Sequence, residues 1–121
     1  MGEVIEAVQI EETLKHIQQD GIIIPKPAEV RDYLLRYSDL ADLVLSVCQL
    51  TRQRFDSQAQ LSLEVYHDPE IEDEYLTLYI RQQKYDENVM KGIKEIRANY
   101  EGMLAEKTGW FLVTTDFRPP R

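Results

Sequence analysis

Three patterns predict an α+β fold for this chain: helical spacing of apolar residues over about its first half, strict alternation at residues 61–65 and 75–81, and a return to helical spacing from Val89 before a short final apolar run. A length of 121 residues suits one domain. The expected organisation is a single domain over residues 1–121: an N-terminal helix and proline-containing connector (1–27), an α-α-β-β-α-β core (28–117) and an extended tail (118–121).

Val4, Ile5, Val8, Leu14 and Ile17 predict a helix over residues 4–17, and Asp20-Gly21 supplies its stop. In the run that follows, Ile22-Ile23-Ile24-Pro25-Lys26-Pro27, two prolines lack backbone donors, so an extended connector or edge segment is expected rather than a central strand. Val30, Tyr33, Leu34 and Tyr37 form one helical face; Ser38-Asp39 interrupts it, and a further helix on Leu40, Leu43, Val44, Val47, Cys48 and Thr51 runs to about Phe55. A single bent helix over 28–55 is the alternative.

After the turn Asp56-Ser57-Gln58 the period becomes two. Leu61, Leu63 and Val65 face one way, Ser62, Glu64 and Tyr66 the other; in the second strand Leu76, Leu78 and Ile80 point inward and Tyr75, Thr77, Tyr79 and Arg81 outward. The two strands are expected to pair as a hairpin around a loop at residues 67–74. Asp86 caps a helix on Val89, Met90, Ile93, Ile96, Tyr100, Met103 and Leu104, ended by Thr108-Gly109, and the last strand runs from Trp110 to about Asp116. The expected sheet is small, three-stranded and antiparallel, ordered second, first, third, with helices on one face.

Composition narrows the function classes. At 43% hydrophobic and 30% charged residues, with no long apolar run, the chain is neither disordered nor membrane-spanning in character. Residues 1–19 carry Glu3, Glu6, Glu11 and Glu12 and do not read as a signal peptide, and the lone Cys48 allows no internal disulfide; both lead to the expectation of a cytoplasmic protein. The net charge of −8 disfavours nucleic acid and anionic membranes as partners. Residues 68–74 hold five carboxylates and residues 3–20 a net −4, so the rest of the chain is nearly neutral.

No catalytic motif, metal-ligand spacing or glycine-rich phosphate loop is present in the sequence, so no catalytic residue, metal or cofactor is assigned. The acidic loop lacks the glycine and alternating ligands of an EF-hand and reads as a solvated turn able to meet a basic partner. Cys48 shares a helical stripe with Val44 and Val47 and reads as packing. The unusual feature is the outward sheet face. Glu64, Tyr66, Tyr75, Tyr79 and Arg81 on it, together with Glu70, Glu72, Asp73 and Glu74 in the loop, are the expected partner-binding residues, because tyrosine and arginine concentrate where proteins meet. The expectation is a small acidic interaction module that binds or regulates a basic partner protein. Alternatives are a carboxylate-based, metal-assisted hydrolase or transferase, for which Glu64 and Asp116 are the nominated acids, and a homodimer closed through the same face. Alternatively, the N-terminal helix or connector folds back over that face.

Overall fold

The computed structural model describes residues 2–56, 58–70 and 72–121, with side chains from Glu6 onward. Ser57 of the expected turn, Ile71 of the acidic loop and the side chains of Glu3, Val4 and Ile5 lie outside the described residues. In order, the chain forms α1 (Gly2–Gln19), α2 (Pro27–Arg36), a single 3-10 turn (Ser38–Leu40), α3 (Ala41–Arg54), β1 (Gln60–His67), β2 (Glu74–Arg81), α4 (Glu87–Leu104) and β3 (Phe111–Thr114). Among the described residues no helix is long and apolar enough to cross a membrane.

The class is α+β, and the amphipathic spacing places each helix near its expected position. Residues 28–55 are two helices rather than one, because the chain tightens into the 3-10 turn after Tyr37. Asp86 caps α4 by accepting from the backbone N–H of Asn88 at 2.9 Å and of Val89 at 3.4 Å. That helix ends at Leu104, before Thr108-Gly109, and a turn carries the chain to β3.

Sheet order and direction differ from expectation. The order is β1-β2-β3: β1 pairs antiparallel with β2, as a hairpin requires, but β3 lies on the free edge of β2 and runs parallel to it. Two physical reasons account for this. An 18-residue helix is about 27 Å long, enough to carry the chain back along an 8-residue strand, so β3 starts beside the start of β2. The other edge of β1 is already occupied: Ile23 N–H donates to the Leu61 carbonyl and its own carbonyl accepts from Leu63 N–H, both at 2.9 Å. This contact stays a single bridge because Pro25, two residues on, has no N–H to continue the ladder.

One face of the sheet carries Leu61, Leu63, Leu76, Leu78, Ile80, Phe111 and Val113, all fully buried. They merge with buried residues of every helix, among them Ile10, Leu14 and Ile17 of α1 and Ile93, Ile96 and Tyr100 of α4, in one hydrophobic cluster. Burying each such aliphatic side chain contributes about 1.5–3 kcal/mol. Cys48 is wholly buried in this cluster, and burial pushes its thiol pKa strongly upward. The helix layer also blocks the outer edge of β3: Tyr100 Oη accepts from Val113 N–H at 3.0 Å, and Arg97 Nε donates to the Val113 carbonyl at 2.8 Å.

Candidate partner-binding face

Because side chains alternate across a strand, the register of the sheet fixes which residues share its opposite face. Tyr66 stands beside Tyr75, Thr77 between Glu64 and Leu112, Tyr79 between Ser62 and Thr114, and Gln60 beside Arg81. The parallel register continues to put Trp110 next to Tyr75, and the Leu76 N–H donates to the Trp110 carbonyl at 3.1 Å. None of these side chains belongs to the hydrophobic cluster beneath the helices. Neither the N-terminal helix nor the connector folds over this face: α1 packs on α2 and α3, and residues 22–24 line the edge of β1.

The face has a charged end and an aromatic end. At the charged end, Arg81 lies on the outward face that alternation assigns it, yet is only 2% exposed. Its Nε and Nη2 donate to Asp116, the shortest contact being 2.9 Å, and Nη1 and Nη2 reach Glu64 Oε2 at 3.3 Å. The guanidinium lies 4.8 Å from the centre of the Tyr79 ring, and Ser62 Oγ donates to Glu64 Oε2 at 2.8 Å. Burial alone pushes the Asp116 pKa up, but hydrogen bonds from Arg81 and from the Arg118 amide, with the charge of both arginines, outweigh it and leave it lowered. Burial raises the Tyr79 hydroxyl pKa, reinforced by Glu64 and Asp116.

At the aromatic end Tyr66 and Tyr75 stack with ring centres 5.1 Å apart, and Trp110, 52% exposed, extends the row. Burial, then Tyr66 and the carboxylates of Asp68 and Asp73, raise the Tyr75 hydroxyl pKa. Thr77 lies between the two ends, 1% exposed, and its Oγ1 has no hydrogen-bond partner among the described residues.

The acidic loop does not join the face as a block. Glu74 opens β2 and turns to the helix side, where Arg36 reaches it at 2.8 Å and His67 at 3.1 Å; His67 also meets Glu29 of α2 at 3.3 Å. Glu70 donates its N–H to Asp68 Oδ1 in a local turn, and Glu72 adopts a positive φ of 50°. Only Asp68 and Asp73 act on the aromatic end, through their charge on Tyr75. Among the described residues no group of three or more histidine, cysteine or carboxylate side chains stands where it would hold a metal ion. The other acidic segment lines a groove of about 460 Å³ between α1 and α3, with Glu6, Glu12, Asp42 and His16.

Alternation in the sequence places Thr77 on this face but does not bring Trp110, Leu112 and Asp116 to it. The signal for Trp110 and Leu112 was the run at residues 110–113, apolar at consecutive positions where a strand with one solvated face alternates. Compared with protein-family models, curated proteins and solved structures, the chain matches none.

Proposed function

We propose that this protein works by binding another protein through the aromatic end of the sheet face opposite the helices, where Tyr66 and Trp110 are exposed. The observation that carries this reading is the row Tyr66, Tyr75 and Trp110 beside a buried Arg81–Glu64–Asp116 network, on a face that no described helix covers. Flat aromatic area with polar tips and a pre-ordered charged centre is the composition of interface hot spots. Asp68 and Asp73 at the rim, with an overall charge of −8, steer a basic partner toward this face and set two copies of the chain against each other. Carboxylate catalysis has less support, since Arg81 binds both nominated acids, Glu64 and Asp116.

Capture from the native host tests this reading. The bait chains are the wild type and a variant combining Tyr66→Ala and Tyr79→Ala with charge reversal at residues 70–74, its folding checked by thermal melting. At least one partner is expected to be lost about ten-fold or more, equivalent to ~1.4 kcal/mol. Equal recovery of every partner overturns the reading. Light scattering is expected to give a monomer mass at micromolar concentration; a dimer dissociated by Tyr66→Ala transfers the face to self-association.

A further inference from the structure

We infer that the partner seats an arginine side chain on the aromatic end of this face, its guanidinium stacked on the tyrosine row and donating to Glu64. The inference rests on the binding reading above and adds the chemistry of what is bound.

Charge is the first argument. Arg81 and the charge of Arg118 answer Glu64 and Asp116, whereas Asp68 and Asp73, whose charges act on Tyr75, form no salt bridge among the described residues. Glu64 spends only Oε2 on Arg81 and Ser62; among the described residues its Oε1 carries no hydrogen bond, and its side chain is 26% exposed. A carboxylate oxygen that is half-desolvated and unpaired favours a donor bearing positive charge.

Thr77 supplies an independent argument. Its hydroxyl is buried and unpartnered, and it sits beside Glu64 between Tyr75 and Tyr79. A buried hydroxyl without a partner is destabilising, and an N–H brought in by a ligand removes that penalty.

The chemistry also has a precedent on the same face. Arg81 lies over Tyr79 while its N–H groups bind two carboxylates, so the sheet already holds one guanidinium between a tyrosine ring and acids. The Tyr66–Tyr75 pair, one row along the strands from Glu64 and Thr77 and under the charges of Asp68 and Asp73, offers rings beside acids without a guanidinium in place. Arginine fits better than lysine because its planar, weakly hydrated head stacks on a ring and donates sideways at once.

The test is an NMR titration of the full chain at physiological salt with Nα-acetyl-arginine N-methylamide. The citrulline analogue serves as the neutral isostere and the lysine analogue as the compact cation. Saturable shifts in the millimolar range are expected at Tyr66, Tyr75, Thr77 and Trp110, with binding weakened at least about five-fold for citrulline, more modestly for lysine, and about five-fold by Glu64→Gln. Equal binding of citrulline, or shifts confined to residues 68–74 or to the groove between α1 and α3, overturns the inference. The citrulline comparison uses the wild-type chain and decides the matter even if Glu64→Gln misfolds. If the arginine probe fails while partner capture still depends on Tyr66 and Tyr79, this inference falls and the binding reading stands; the converse result separates them the other way.

Discussion

Arg81 organises the face because its guanidinium is buried while both its carboxylate partners keep about a quarter of their exposure, Glu64 26% and Asp116 23%. Replacing it by methionine leaves two half-desolvated acids facing each other, and the expected loss is about 2–4 kcal/mol in urea denaturation, toward the lower end because water still reaches the acids. Adding Glu64→Gln and Asp116→Asn to Arg81→Met should recover most of that loss. The same contacts set an acid response. The Asp116 pKa is depressed in the folded chain, so its contribution is present above the unfolded value of about 3.9 and is lost as pH falls through the lower folded value. Asp39, whose pKa is lowered first by the hydrogen bond from Thr108 Oγ1 at 2.7 Å, acts in the same direction. Stability should therefore fall below about pH 4, and less steeply in Asp116→Asn, as measured by melting temperature against pH. Alternation alone assigns Arg81 to the outer face. Its burial is illegible in sequence because its partner Asp116 lies 35 residues away and reaches it only when β3 lies on β2.

Elements were legible where a period was strong and illegible where a tertiary choice decided. Strand β1 follows from alternation and α4 from its apolar stripe with the Asp86 cap. Strand order turns on which edge of the hairpin is free, and one bridge at Ile23, invisible to any periodicity, closes the edge of β1. Two glycines near the end of α4 separate close packing from mere tolerance. A Cβ on Gly109 would meet Leu40 Cδ1 at 2.7 Å and Tyr37 Cβ at 2.9 Å, whereas one on Gly102 would meet nothing within 4 Å. Gly109→Ala is expected to cost about 1–3 kcal/mol by overpacking. Gly102→Ala, in a helix with open space around it, is expected to gain about 0.5–1 kcal/mol. Urea denaturation of both variants checks the pair, and equal stabilities would contradict the close approach of the turn after α4 to the 3-10 turn.

At the scale of the whole molecule, the helices share one core with one sheet face, and the segment after β3 crosses the charged end of the other, Asp116 binding Arg81 and the Arg121 backbone exchanging hydrogen bonds with Gln60 at 2.9 and 3.0 Å. Both free margins of the sheet resist edge-to-edge pairing: Tyr100 and Arg97 occupy the Val113 backbone groups of β3, and the segment bridged to β1 runs straight into Pro25. The aromatic and charged residues of the outer sheet face were readable from alternation in β1 and β2, while the contribution of β3 depended on the parallel pairing. The acidic loop divides, with Glu74 bound to the helix layer and Asp68 and Asp73 acting on Tyr75. Photo-crosslinking in the native host tests the outer sheet face most directly, with a benzoylphenylalanine placed either at Trp110 on that face or at Met90 on α4, both exposed positions. A discrete adduct with another protein is expected from position 110 and none from position 90; adducts from position 90 alone, or from neither, would contradict binding through this face.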